Sequence, residues 1–420
     1  MEMNSVLFPA PKSTYTITDP IARDLVFIPR NFKKIMKQQM MEELKSMQDQ
    51  QSPRDYQPDD DQINVIQDDF IKTQIYSKMP NKKCVSVFDT LEMRKHRLGE
   101  FTDRFYQTQN SKANNADELF NDTESLSRFN SNTLEDDNDR TQSFNNLKNK
   151  EKQQKLMDHI PCLYLPFDHG SSKILLYFHG NAEDIGLSRP FLDYIRQLNR
   201  MHVMAVEYVG YGIYQGDVDA NQVMFDAETV LEFLIKYQQI DPQQIVLCGR
   251  SIGSGPATYL ASKYLVSCLM LIAPFTSIRD MAKQISGRVF QYFITDRFRN
   301  KDYIKRVKCP TFILHGQKDT LIPLKQSEYL HFKCGGPCAL VTPREMDHNQ
   351  FDIINDLIIP FNTFMKKAGI SNSYSTNLQG FNKDGVVQFD QAFKEIPQEF
   401  EKVQATKSSI WNWIIRKLQK

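Results

Sequence analysis

The sequence predicts an α/β fold: a mostly parallel central sheet flanked by helices over 156–370, with a long polar insertion after the first strands. Three observations carry that expectation. Short apolar runs, Ile174–Phe178, Ile245–Cys248, Thr311–Leu314 and Ala339–Val341, have the length of buried strands and alternate with stretches of helical periodicity. One of them leads directly into Gly249-Arg250-Ser251-Ile252-Gly253, a spacing suited to a sharp strand-to-helix turn. Each of the other three ends in a loop holding a group that could serve that serine.

Taken in order, residues 1–30 supply the first strands, because Leu7-Phe8-Pro9 through Asp24-Leu25-Val26-Phe27-Ile28-Pro29 is apolar enough to form sheet edges. From 31 to 155 the chain turns to Gln, Asn, Asp, Lys and Ser, as in Asp59-Asp60-Asp61 and Asn145-Asn146-Leu147-Lys148-Asn149-Lys150. Such a composition buries too little apolar surface to offset chain entropy, so a largely disordered insertion is expected. Within it, Phe88–Met93 and Phe101–Tyr106 read as composition-biased filler or as docking motifs.

The Ile174 run ends in His179-Gly180-Asn181-Ala182. The N–H of Asn181, with Ala182 as the neighbouring candidate, would join that of Ile252 in holding the oxygen of a tetrahedral intermediate. His179, just before the glycine, reads as a residue that shapes the turn. Val223, Ala227, Val230, Leu231, Leu234 and Ile235 recur at helical spacing ahead of the Ile245 strand. Gly249 and Gly253 leave room for a tight turn that lifts the Ser251 hydroxyl out of the sheet, which makes Ser251 the candidate nucleophile. The helix that follows points its positive end at the reacting centre.

Past Thr311–Leu314, the loop His315-Gly316-Gln317-Lys318-Asp319 presents Asp319 as the acid. Past Ala339–Val341 and Pro343, Asp347-His348-Asn349 presents His348 as the base. The carboxylates of Glu345 and Asp347 beside it either raise its basicity or are solvated loop groups. A helix carrying Ile353, Ile354, Leu357, Ile358, Phe361, Phe364 and Met365 closes the core, with a kink expected at Pro360 and Gly369 as its cap.

With its elbow, Phe178-His179-Gly180-Asn181-Ala182, Glu207-Tyr208-Val209-Gly210-Tyr211-Gly212 and Pro274-Phe275-Thr276-Ser277, the segment from Ile160 to Gly369 resembles the α/β-hydrolase-domain palmitoyl-protein thioesterases and their serine-hydrolase relatives. The resemblance implies an α/β-hydrolase fold, Ser251 as nucleophile, Asp319 and His348 as its partners, and Asn181 and Ile252 as oxyanion donors. The chain order Ser, Asp, His is that of this fold. Such thioesterases have a cysteine-rich, acylated N-terminus, whereas the first cysteine here is Cys84.

A net charge of +1 gives no nucleic-acid footprint. The expectation is a cytoplasmic protein without signal peptide or membrane span, its seven cysteines free thiols. Cys334-Gly335-Gly336-Pro337-Cys338 lacks a second ligand pair and reads as a loop, so neither metal nor cofactor is expected. Little sequence lies between Ile272 and Thr311 for a large lid. Residues 371–420 form a polar tail ending in an amphipathic stretch: Trp411, Ile414, Ile415 and Leu418 share one face, with Arg416, Lys417 and Lys420 near the other. Trp411, Trp413, Arg416 and Lys417 suit peripheral contact with an anionic bilayer, or the same face docks on the core. The expected reaction is two-step acyl transfer on an acylated protein or lipid. Alternatives are another esterase, lysophospholipase or peptidase on the same fold, and a non-catalytic interaction platform.

Overall fold

A computed structural model of the chain describes residues 10, 12–49, 157–281, 296–372 and 378–401. Eight apolar segments pair into one sheet: β1 (Leu25–Pro29), β2 (His159–Leu165), β3 (Ile174–Phe178), β4 (His202–Val206), β5 (Ile245–Arg250), β6 (Cys268–Ile272), β7 (Thr311–Leu314) and β8 (Cys338–Val341). Their spatial order is β1-β2-β4-β3-β5-β6-β7-β8. β2 pairs antiparallel with both β1 and β4, and every other pairing is parallel. β3 and β5 are buried along their length, except at Arg250, because helices cover both faces of a parallel sheet and leave no side for polar alternation.

The topology decides where chemistry can occur. The chain moves outward from β3 to β4 and then returns to the other side of β3 as β5, so connections leave in opposite directions on either side of β3. Such a reversal opens a crevice beyond the carboxyl ends of the strands. Phe178 pairs with Gly249, which sets the ends of β3 and β5 level and brings the loops after them side by side.

Helices α2 (Ile185–Asn199), α3 (Ala220–Glu232), α4 (Ser254–Lys263), α5 (Asn300–Tyr303), α6 (Leu324–Lys333) and α7 (Ile359–Lys367) follow the strands. The start of α2 is fixed by Asp184, whose carboxylate accepts the Leu187 N–H, and that of α3 by Asp219, which accepts from Asn221 and Gln222. The expected closing helix divides into a wide turn over Ile353–Ile358 and α7. Pro360 sits in the first turn of α7, where no N–H is required, so the change of pitch stands where a kink was expected. Leu357, Ile358, Phe361, Phe364 and Met365 are buried, whereas Ile354 is 48% exposed. Gly369 has a φ of +69°, and the Ile370 N–H returns to the Met365 carbonyl, closing the helix as expected.

Two segments show structure beyond the expectations. Residues 31–155 begin with a helix, α1 (Phe32–Asp49), which from Lys33 on belongs to a separate compact unit, Lys33–Asn130. Lys, Gln, Met and Glu dominate it, and these straight-chain residues favour helix despite their low hydropathy. The remainder of the insertion, with Phe88–Met93 and Phe101–Tyr106, lies outside the described residues.

The polar tail, in turn, is partly core. Over 378–401, which include the short helix α8 (Gln391–Lys394), Val387, Phe389, Phe393 and Phe400 are buried. Phe400 lies 4.9 Å from Phe27 of β1, Phe389 4.8 Å from Tyr164 of β2, and Phe393 5.1 Å from Phe233, ring centre to ring centre. Glu399 accepts the N–H groups of Asp158 and His159 at the end of β2. Phe389→Leu is expected to cost about 1–2 kcal/mol in a urea unfolding curve; a cost near zero would remove the segment from the core. The Trp411–Leu418 stretch lies outside the described residues, as do residues 282–295 ahead of β7. Among the described residues no helix is long and apolar enough to cross a membrane.

Candidate active site

The loops that follow β3, β5, β7 and β8 bring Asn181, Ser251, Asp319 and His348 to the same edge of the sheet. Ser251 sits immediately after β5 with a φ of +51°, a strained conformation for a residue bearing a Cβ. The backbone tolerates it because both neighbouring glycines are in close contact. A Cβ on Gly249 would lie 2.3 Å from the Gly253 carbonyl oxygen, and one on Gly253 would lie 2.1 Å from the carbonyl oxygen of Phe178. The turn is therefore locked between its own far end and the end of β3.

From that turn a hydrogen-bonded line runs through three loops. The Ser251 hydroxyl donates to His348 Nε2 at 3.1 Å, and His348 Nδ1–H donates to Asp319 Oδ2 at 2.7 Å, the tautomer following from the carboxylate's need for a donor. Asp319 Oδ1 is occupied separately, by the N–H groups of Leu321 at 2.9 Å and Ile322 at 2.8 Å. Burial opposes ionisation of Asp319, but the His348 hydrogen bond, the Ile322 N–H and the two nearby imidazoles outweigh it and hold its pKa below the usual value. It is thus a carboxylate throughout the neutral range.

The acid and base loops are fastened to each other. The Lys318 N–H donates to the Met346 carbonyl and the Gln317 N–H to that of Pro343. Gly316 permits this approach, since a Cβ there would fall 2.1 Å from the Met346 oxygen. Behind them, His315 takes a hydrogen bond from Ser327 at Nδ1 and donates from Nε2 to the Ile322 carbonyl. Burial pushes its pKa down, so it is neutral scaffolding beside the acid. The carboxylates flanking the base turn elsewhere: Asp347 accepts the N–H groups of Asn349 and Gln350, and Glu345 pairs with Lys318.

On the other side, Ala182 adopts a φ of +58°, bending the chain just after Asn181. The Asn181 side-chain oxygen accepts the Tyr211 hydroxyl at 2.8 Å, which ties this turn to the loop after β4. Ile252 is the second residue of the short turn Ser251–Gly253 that runs into α4, and the first N–H groups of a helix have no carbonyl behind them to bond. His179 shapes the turn, as expected. It is fully buried, with Nδ1 on the Gly180 carbonyl at 2.9 Å and Nε2 on Glu207 at 3.0 Å. Burial works against the imidazolium, but Glu207 and the Gly180 carbonyl raise its pKa, and only the cation can donate at both nitrogens.

Several supporting residues were not found by sequence reasoning. Glu207 also accepts the Tyr15 hydroxyl at 2.9 Å and the Ile185 N–H, and Thr14 donates to Asp184, so the chain ahead of β1 reaches the base of the oxyanion turn. Tyr15 and Glu207 are 192 positions apart, and nothing local links them. Beside Ile252 a small apolar depression of about 10 Å³, room for roughly one water, is lined by Tyr208, Tyr211, Val218, Val223 and Phe298. Among the described residues no group of three or more His, Cys, Asp or Glu could hold a metal ion, and the six cysteines there are free thiols.

Known proteins resemble this chain in part. Protein bem46 of Schizosaccharomyces pombe is 33% identical over 171 residues, 39% of this chain and 57% of that protein. Alpha/beta hydrolase domain-containing protein 17B of Homo sapiens is 24% identical over 208 residues, 50% of this chain and 71% of that protein. The chain thus spans little more than half of the fission-yeast relative's length. No protein-family model matches it. Among solved structures, esterase Pf2001 of Pyrococcus furiosus covers 51% of this chain and 90% of its own, with a TM-score of 0.42 and 16% identity. Est1E of Butyrivibrio proteoclasticus covers 51% and 96%, with a TM-score of 0.41 and 15% identity.

Proposed function

We propose that this chain, which is similar over about half its length to an alpha/beta hydrolase domain-containing protein, is a serine hydrolase of the α/β-hydrolase family that cleaves acyl esters or thioesters through Ser251, His348 and Asp319. The observation that carries the proposal is the continuous line from Asp319 through His348 to Ser251, at 2.7 and 3.1 Å, ending on a serine held at positive φ. In this reading His348 takes the Ser251 proton as the hydroxyl attacks the acyl carbon, and the carbonyl oxygen becomes the oxyanion. The N–H of Ile252 and that of Asn181 or Ala182 stabilise the charge, helped by the positive end of α4. His348 then protonates the departing alcohol or thiol. Water, deprotonated by the same imidazole, attacks the acyl-serine in the second half, so atoms and protons return to the starting state and acid leaves.

The surface beside Ile252 is apolar, with Val218, Val223 and Phe298, which suits an uncharged acyl group next to the nucleophile better than a charged peptide side chain. An acyl-protein thioester of the palmitoyl kind is the finer proposal, supported by the motif resemblance. The test is fluorophosphonate labelling of the purified protein, followed by turnover of a palmitoyl thioester, a lysophospholipid and a short acyl ester. Labelling with thioester turnover dominant supports both levels. Labelling with another substrate dominant keeps the hydrolase and replaces the thioesterase, and a folded protein that does not label overturns the mechanism.

A further inference from the structure

Arg250, the residue between Gly249 and Ser251, touches two loops at once. Its Nη1 donates to Glu183 Oε2 at 2.8 Å, in the loop after β3, and its Nη2 donates to the Asn349 side-chain oxygen at 3.0 Å, one residue past His348. Glu183 uses its other oxygen, Oε1, to accept the N–H of Gly180. The side chains of Arg250 and Glu183 are only 18% and 16% exposed, so the pair is shielded from solvent to a degree that ordinary surface pairs are not. A single guanidinium therefore joins the oxyanion turn, the nucleophile turn and the histidine loop.

We propose that Arg250 and Glu183 form a positioning clamp, which holds the Gly180–Ala182 turn and the His348 loop in register with Ser251 during acyl transfer. The clamp rests on the serine-hydrolase reading above. Three facts motivate it. The turn it holds contains Ala182 at a φ of +58°, a conformation that persists only when its surroundings enforce it. Glu183 occupies the Gly180 N–H, which removes that group from the candidate oxyanion donors and ties the start of the turn to the Arg250 pair. Finally, the contacts of Arg250 lie on loops that follow β3 and β8, near the two sides of the crevice, and no backbone hydrogen bond of the elbow is needed to link them. Arginine suits this role because its planar fork can serve two acceptors at fixed angles, which a lysine cannot.

Neither residue touches the reacting atoms, so the effect should fall on the transition state and leave ground-state binding alone. With p-nitrophenyl butyrate as probe, Arg250→Met is expected to lower kcat by about 10- to 100-fold with KM changed less than about threefold, the scale of a small misplacement of catalytic groups. Glu183→Gln keeps an acceptor for the Gly180 N–H but loses the charge, and is expected to fall between the parent and Arg250→Met. The double variant should be no worse than Arg250→Met, because both remove one interaction. Arg250→Lys should restore part of the loss. Butylboronic acid, which forms a tetrahedral adduct on a serine, should bind more weakly to Arg250→Met by the same factor as kcat/KM falls.

Folding is followed by thermal unfolding of each variant. Activity that declines only in proportion to the unfolded fraction at the assay temperature overturns the clamp, as does a loss expressed in KM alone or boronate affinity equal to that of the parent. Fluorophosphonate labelling of the parent separates this failure from the larger one: a parent that does not label at Ser251 overturns the triad and the clamp together, whereas a labelling parent with indifferent variants overturns the clamp alone.

Discussion

Ser251→Ala is expected to lower kcat by about a million-fold, the scale on which serine hydrolases lose turnover without their nucleophile. The argument is that nothing else at the site can replace the hydroxyl. His348 Nε2 faces Ser251 Oγ at 3.1 Å, and its other nitrogen is committed to Asp319. The fold should survive, since the positive φ at this position penalises any residue with a Cβ and alanine has no more of one than serine. Initial rates on an acyl ester, with fluorophosphonate labelling and His348→Ala alongside, measure it. Retention of even a hundredth of the parent's rate in a well-purified Ser251→Ala sample would assign the chemistry to another residue.

Asp319→Asn is expected to cost about 10⁴-fold in kcat, the magnitude associated with a misoriented or wrongly protonated imidazole. Here the direction follows from the carboxylate's partners. Oδ1 accepts two backbone N–H groups, from Leu321 and Ile322, so the amide oxygen of an asparagine must stay there. Its NH₂ then occupies the place of Oδ2, 2.7 Å from His348 Nδ1, and donates to it. That puts the imidazole proton on Nε2, facing the Ser251 hydroxyl that it should be accepting from. The carboxylate's lowered pKa adds a stability term with a definite sign: its contribution is present above the unfolded-state value of about 3.9 and is lost as pH falls through the lower folded-state value. Asp319→Asn should therefore flatten the acid side of the stability curve while it abolishes most turnover. Thermal unfolding between neutral and acid pH, set beside kcat, tests both halves, and an active Asp319→Asn enzyme would sink the assigned tautomer.

The strand ends that carry the candidate site residues are legible in the sequence, because each candidate follows an apolar run that the sheet buries. Ser251 after Ile245–Cys248, Asp319 after Thr311–Leu314 and His348 after Ala339–Val341 all lie at the ends of strands that the structure places in one parallel sheet. What fastens them was not legible. Arg250 and Glu183 stand 67 positions apart, and each taken alone is an ordinary charged loop residue. The Phe389, Phe393 and Phe400 side chains stand in an otherwise polar stretch, and their burial depends on distant partners in β1, β2 and at Phe233. In α1, low hydropathy obscured strong helix propensity. At the far end of the closing helix the apolar count was right but the phase was not: the wide turn over Ile353–Ile358 rotates Ile354 out to solvent.

The antiparallel pairing of β1 with β2 has a consequence for how this chain can change over time. Pro29 is paired with His159 and the Arg30 N–H bonds to the Asp158 carbonyl, so the two ends of everything between them are held at the separation of neighbouring strands. The length of the intervening chain is then nearly invisible to the sheet, because doubling a flexible loop adds only about 0.6 kcal/mol of closure entropy. A gene can lengthen, shorten or replace what lies between these two strands while the strand pairing of the sheet is kept. The β1–β2 junction is in that sense a port, where sequence can be added without breaking the pairing of the strands on either side of it.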